Sequence, residues 1–142
     1  MLKQLKKLTA FALLTVFTLT AVGGCGRSDS DYIPQSSDAR TAIEAAMTAW
    51  KNDAKRDEAI QPAAQPGWSI TLFDGDFAAG RKLKEWSIES ETPSKDGPRQ
   101  FVVNIMIEGA LQQETATYYV TGLKKQFAVF RDKEYALRGS QM

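Results

Sequence analysis

The sequence predicts an α+β domain in which one N-terminal helix packs on a curled antiparallel sheet of four to five strands. Three observations support this class. Apolar residues first recur at helical spacing, over residues 38–54. Beyond residue 67 they alternate with polar residues in several short segments, which is typical of strands. Short turns containing Gly or Pro separate these segments, so we expect strands that follow one another in the chain to pair antiparallel.

The predicted helix starts where Ser and Asp side chains at positions 36–38 can cap its first turn. Ile43, Met47 and Trp50 follow at spacings of four and three residues, so they share one face. Alanines widen this apolar stripe: Ala39, Ala42, Ala46 and Ala49. The small alanines allow close approach to a sheet, and Trp50 supplies the largest contact.

The predicted strands follow Pro66-Gly67 and alternate apolar and polar residues or are rich in β-branched and aromatic ones. They are residues 68–72, 83–89, 101–107, 115–121 and 126–131. A loop with the turn-like run Asp74-Gly75-Asp76 follows the first strand. Residues 93–98 break the chain before the third strand, and Gly122 is expected to turn it into the last one.

The order of one helix and then strands resembles the cystatin-like and nuclear-transport-factor-2-like folds. Three short runs also resemble small uncharacterised bacterial lipoproteins. They are Ala49-Trp50-Lys51 at the end of the helix, the aromatic-x-x-Gly-Arg-x-Leu run of residues 77–83, and Val129-Phe130-Arg131 near the C-terminus. The resemblance covers most of the chain after residue 25 and bears on the fold more than on function.

The first 24 residues have the composition of an export signal. Residues 1–7 carry three lysines and no acid, and residues 8–22 form an apolar run. This run is shorter than the roughly 20 apolar residues that a membrane-spanning helix needs. An ordinary signal peptide, or an uncleaved membrane helix, would share these features.

The four residues Val22-Gly23-Gly24-Cys25 resemble the lipobox of bacterial lipoproteins. The resemblance implies cleavage before Cys25, diacylglycerol on its thiol, and a membrane-anchored protein on the extracytoplasmic side of the cell envelope. The resemblance also implies the usual sorting pattern of lipoproteins. In that pattern, Gly rather than Asp at residue 26 favours the outer membrane of a cell with two membranes. Cys25 is the only cysteine, so no intramolecular disulfide competes with lipidation.

These features divide the chain into a signal peptide (1–24), a flexible tether (25–37) and one α+β domain (38–142). The whole chain has 18 basic and 17 acidic side chains. Residues 1–24 hold three lysines and no acid, so the remainder has 15 basic and 17 acidic side chains and a formal charge of −2. Nucleic acid is therefore not an expected partner, because its binding requires clustered positive charge.

The residue types present exclude several kinds of chemistry. The chain has no histidine, which excludes catalytic triads with histidine and imidazole metal sites. No glycine-rich phosphate loop is present. A calcium loop starting at Asp74 would have Glu85 at its twelfth position, but its sixth position is Ala79 rather than Gly. We therefore expect no metal and no cofactor, and we interpret Asp74 and Asp76 as turn-capping residues.

General acid–base chemistry by carboxylate or Tyr stays open, with Asp76, Glu114, Tyr118 and Tyr119 as candidates and nothing to select among them. As neighbours in a strand, the two tyrosines should face opposite sides of the sheet. No catalytic residue is assigned.

Two further patterns have a structural explanation. Tryptophans at positions 50, 68 and 86 could form an aromatic box, but core packing is the preferred interpretation. Residues 100–104 come near the Gln-x-Val-x-Gly loop of inhibitory cystatins, yet they end in Asn and lie in the strongest predicted strand.

We therefore expect a lipid-anchored envelope protein that is not an enzyme and that binds an envelope protein partner or has a role in assembly. The alternative is a small-ligand-binding module with a pocket between helix and sheet. An enzyme that relies on Asp, Glu or Tyr is the third possibility.

Overall fold

The computed structural model of the chain describes residues 33–92 and 98–139. Its elements, in chain order, are α1 (Ser36–Lys51), β1 (Ser69–Phe73), α2 (Gly75–Ala78), β2 (Leu83–Thr92), β3 (Arg99–Ile107), β4 (Glu114–Leu123), β5 (Gln126–Arg131) and α3 (Asp132–Gly139). The predicted signal peptide, Cys25 and most of the predicted tether lie outside the described residues, as does most of the predicted break at 93–98.

The five strands form one mixed sheet in the order β1-β5-β4-β3-β2. The predicted α+β class and five strands are correct, but the expected all-antiparallel pairing is wrong at one edge, where β1 pairs with β5 in parallel. The chain path explains this. After α1, residues 52–68 return along the edge of β1, where Ile60 bridges Ile70 in antiparallel direction. As a result β1 starts at the same end of the sheet as β5, since Ser69 lies beside Gln126.

Three helices are present where one was predicted. The four-residue α2 is too short to show helical periodicity in the sequence, and it forms because Asp74 caps it. The eight-residue α3 follows β5 without a break and was missed for a similar reason, because two turns give little periodicity. Within the described parts of the chain, no helix is long and apolar enough to cross a membrane.

Helix α1 packs on one face of the sheet, which we call the inner face. It buries its predicted stripe, with Ile43 and Met47 fully buried and Trp50 2% exposed. The Trp50 indole Nε1–H donates to the carbonyl of Arg81 at 2.8 Å, so the one polar atom of this side chain is paired. The strand residues of this core are Ile70, Leu72, Leu83, Phe101, Val103, Ile105, Ile107, Ala116, Tyr118, Val120, Phe127 and Val129. The space between helix and sheet is filled by side chains.

The opposite, outer face of the sheet is partly covered by α3. Tyr135 of this helix stacks on Tyr119 of β4, with ring centroids 4.5 Å apart. Phe130 of β5 stacks on Phe73 of β1 at 4.6 Å. Phe73 remains 42% exposed, because α3 does not extend over β1. The outer face is therefore aromatic and only partly covered.

Several predicted boundaries shift by a few residues; for example, α1 ends at Lys51 rather than at residue 54. Two of the shifts change the assignment of residues. The helix starts at Ser36, so the last residues assigned to the tether belong to the domain, and Pro34 is buried. Gly122 lies inside β4 rather than at the turn, which is formed by Lys124 and Lys125. Gly122 is needed there for space, since a Cβ atom would lie 2.3 Å from the carbonyl oxygen of Gln126.

Candidate functional site

A buried charge cluster lies at the end of the inner face. Its centre is Arg131, the last residue of β5, which is 7% exposed. The Arg131 guanidinium donates from Nη1 to Asp76 Oδ2 at 2.7 Å and from Nη2 to Glu114. Asp76 also pairs with exposed Arg81 at 3.2 Å. Strand register places Arg131 beside Tyr118, and α2 places Asp76 above both.

Asp74 joins this cluster to the backbone. Its side chain is 2% exposed, and one oxygen accepts hydrogen bonds from the backbone N–H groups of Asp76 and Phe77 at 2.7 and 3.1 Å. The other oxygen accepts the Tyr118 hydroxyl at 2.7 Å and lies 3.6 Å from Arg131 Nη1. One carboxylate therefore caps α2 and connects this helix to β4 and β5.

The environment fixes the protonation of two members of the cluster. Burial, and then the charge of Asp74 and the hydrogen bond to it, raises the pKa of the Tyr118 hydroxyl far above its usual value. Burial disfavours the charge on Arg131, but the hydrogen bond to Asp76 and the charges of Asp74 and Glu114 outweigh it. The pKa of Arg131 is therefore raised. Tyr118 stays a hydrogen-bond donor and Arg131 stays a cation.

The cluster contains three of the four acid–base candidates, Asp76, Glu114 and Tyr118. The fourth, Tyr119, points to the outer face, as the opposite orientation of the two tyrosines predicted. Each of the three clustered groups is bonded within the protein: both carboxylates to Arg131, and the hydroxyl to Asp74. A general base needs a free lone pair within reach of a substrate proton. The bonds made by Arg131 and Asp74 link α2, β4 and β5 to one another.

Arg131 was missed as a member of this cluster. A signal for it was present, because Phe127, Val129 and Arg131 alternate in one strand and a cation on the buried face needs an acidic partner. Asp74 and Asp76 were both predicted to cap a turn. The prediction is correct for Asp74, which caps α2, but wrong for Asp76, which pairs with Arg131. Which acids would meet Arg131 depends on strand order and on α2, neither of which the local sequence pattern shows.

A groove with a cavity volume of about 970 Å³ lies on the outer face, between α3 and the β1 edge. We call it the outer groove. Its apolar lining comes from Phe73, Phe127, Ala128, Phe130 and Leu137. Phe73 and Leu137 are the most exposed of these, at 42% and 64%. Exposed apolar surface of this kind is typical of binding sites.

Charged groups line the two ends of the outer groove. Lys124 and Lys125, in the β4–β5 turn, carry positive charge at one end. The Arg138 guanidinium, from α3, lies further along the groove, over the ring of Phe130. Glu134 lies at the other end, beside Gly75, and also lines a second cavity of about 320 Å³ between α2 and β1. Among the described residues, its Oε2 atom is buried without a hydrogen-bond partner. The groove is thus apolar along its length and electrically asymmetric.

The three tryptophans do not line one box. Trp50 packs edge-on against Phe77, with ring centroids 5.9 Å apart, and Trp68 packs on Phe127 at 4.5 Å. Trp86 packs against the core from β2. Within residues 33–92 and 98–139, no group of three or more His, Cys, Asp or Glu side chains is placed to hold a metal ion.

Comparison of the chain with protein-family models, with curated proteins and with solved structures gives no match.

Proposed function

We propose that this chain is the precursor of a lipid-anchored envelope protein that acts by binding rather than by catalysis, and that its ligand is a molecule whose apolar part is held in the outer groove. The observation that carries the binding proposal is the outer groove itself. Its volume of about 970 Å³ lies within the range of roughly 300–1,000 Å³ that is usual for ligand sites.

The anchoring part of the proposal rests on the lipobox-like run Val22-Gly23-Gly24-Cys25 and on the basic and apolar segments before it. Two or more acyl chains on Cys25 would give a lasting anchor, since each buried methylene contributes about 0.8 kcal/mol. The outer membrane of a two-membrane cell is the favoured location.

We also propose that the fold is of the cystatin-like or nuclear-transport-factor-2-like kind, supported by a long first helix across one face of the sheet.

The proposal of a non-enzymatic role is supported by the state of the charge cluster. Asp76, Glu114 and Tyr118 each have a hydrogen-bond partner within the protein, which favours a structural role for the cluster. The Glu114 side chain remains 52% exposed. The alternative expectation of a ligand pocket between helix and sheet is replaced in this proposal by the outer groove, because Ile43, Met47 and Trp50 of α1 are buried against the sheet.

Lipidation is tested by growing cells with labelled fatty acid. Wild-type protein should take up the label and Cys25→Ala should not. Equal labelling of the two proteins would contradict the anchor and leave an ordinary signal peptide as the explanation.

Binding is tested with a neutral apolar probe, N-phenyl-1-naphthylamine, whose fluorescence rises in apolar surroundings. Ala128 lies on the floor of the groove, so Ala128→Trp should fill it and abolish saturable probe binding. Leu111→Trp is the matched control, because Leu111 is fully exposed and does not line the groove. Equal binding by both variants would contradict the proposed site.

A protein partner is the second candidate function. It is favoured by the position of β1 at the edge of the sheet, next to the exposed Phe73, where a partner strand could add to the sheet. In living cells, a photo-crosslinking residue at position 137 would then capture one defined protein. The same crosslinking residue at position 111, the control, should not capture that protein.

A further inference from the structure

The end of the outer groove that carries Lys124 and Lys125 is the end from which the N-terminal segment leaves the domain. Arg99, the first residue of β3, donates from Nε to the Pro34 carbonyl at 3.2 Å. Arg99 is paired with Val120 of β4, four residues before the first residue of the β4–β5 turn, Lys124. Pro34 and the lysine turn therefore lie at the same end of the sheet. We call it the tether end.

The tether end would be held close to the bilayer. Cys25 precedes Ile33 by eight residues, which can span at most roughly 29 Å when fully extended. If Cys25 is lipidated, the lysine turn cannot move far from the headgroups. This step rests on the proposed function.

The charges around the groove suit an anionic headgroup. Lys124, Lys125 and Arg138 are exposed and line the same groove. Among the described residues near the tether end, Asp38 lies in the first turn of α1, and Glu91 accepts a hydrogen bond from Ser36 at 2.5 Å. Both acids are on the side of α1 and do not line the groove.

The interior of the groove suits an aliphatic chain. Phe73 and Phe130 stack on each other and form part of the floor together with Ala128. Arg138 lies over the Phe130 ring at 5.1 Å, which places its charge at the boundary between the apolar floor and the solvent. At the far end, the carboxylate of Glu134 would repel a second negative charge. The groove therefore favours one orientation, with an anionic head at the tether end and the chain pointing away.

We propose that the outer groove binds an anionic phospholipid drawn from the membrane to which the protein is anchored. The phosphate lies against Lys124 and Lys125, and one acyl chain lies along Phe73, Phe130 and Leu137. Arg138, over the Phe130 ring, adds positive charge to the wall of the same groove. Binding at this site holds the tether end of the domain against the bilayer.

The test uses the full chain purified in a non-ionic detergent, and native mass spectrometry counts bound dioleoylphosphatidylglycerol or dioleoylphosphatidylcholine. The expected result is one saturable site that prefers phosphatidylglycerol. Lys124→Gln/Lys125→Gln/Arg138→Gln should weaken its binding by roughly 100-fold, because each basic group near a lipid surface contributes about a fivefold factor. A charge-matched control replaces three exposed cations outside the groove, namely Lys51→Gln/Lys84→Gln/Lys133→Gln, and should bind as the wild type does.

A second variant tests insertion of the chain. Ala128→Trp keeps all the charges of the groove and should abolish lipid binding. If Ala128→Trp does not fold, Thr71→Phe, which also fills the groove from its wall, is used in its place. If the basic triple variant loses binding but the filled groove retains it, the lipid is only adsorbed at the surface and the inference is overturned. Equal binding of the two lipids also overturns the inference. So does a partner protein that crosslinks to position 137 and that phosphatidylglycerol does not displace. Binding of the neutral probe without lipid preference would leave the proposed function intact and refute this inference alone.

Discussion

Removing the Asp74 side chain should destabilise the domain more than any exposed carboxylate does. In Asp74→Ala the α2 cap is lost, which costs about 0.5–2 kcal/mol. The buried Tyr118 hydroxyl also loses its acceptor, which costs about 1–3 kcal/mol more. Arg131 keeps its hydrogen bonds to Asp76 and Glu114, so the loss of its contact with Asp74 adds little to the cost of the substitution. We expect the free energy of unfolding to fall by about 3 kcal/mol in total.

The assay is urea unfolding followed by tryptophan fluorescence. With a slope of about 1–3 kcal/mol per M, the midpoint should fall by about 1–3 M without a change in slope. Glu108→Ala, at an exposed position after β3, is the control and should change stability by no more than about 0.5 kcal/mol. In a Tyr118→Phe background no hydroxyl is left without an acceptor, so Asp74→Ala should cost about 1–2 kcal/mol less there.

Two results would refute this reasoning. A loss below about 1 kcal/mol in Asp74→Ala would mean that water or a rearranged side chain replaces the carboxylate. Strict additivity with Tyr118→Phe would mean that the 2.7 Å contact between the two side chains contributes nothing to stability.

Three further outcomes are expected. Because the pKa of Tyr118 is raised on folding, its contribution to stability is complete below pH ~10 and decreases as the pH rises above that value. The stability gap between wild type and Tyr118→Phe in urea unfolding should therefore be narrower at pH ~11 than at pH ~8. Trp50→Ala should lower the free energy of unfolding by about 3–5 kcal/mol in the same assay, since it opens a cavity in the core. Gly122→Ala should lower the melting temperature more than Gly109→Ala. Both glycines have a positive φ that strains an alanine, but only the Cβ at position 122 would also overlap the backbone of Gln126. Equal effects of the two substitutions would contradict this.

Local patterns in the sequence were sufficient for the long elements. Spacings of three and four residues gave α1 and its buried face, because a 16-residue helix shows its period several times. Alternation gave all five strands, including β5 with the same bounds as in the structure. It also placed Tyr118 and Tyr119 on opposite faces of the sheet, which follows from the period of two.

Contacts between residues far apart in the chain required the tertiary structure. The parallel pairing of β1 with β5 depends on how residues 52–68 return to the sheet edge, and no local spacing encodes that path. Helices α2 and α3 are too short for a period to appear, and α3 is placed by the stacking of Tyr135 on Tyr119. The charge cluster brings together Asp74, Glu114 and Arg131 from three separate parts of the chain.

The outer groove has the same origin. Its residues come from β1, β4, β5 and α3, and they form one surface only because β1 joins the sheet beside β5 and α3 folds back over the outer face. The residue types present excluded reactions that need a histidine of this chain, because the sequence contains none and no fold can supply one. The shape that a ligand would meet depends on distances between elements, and these are established only when the chain packs.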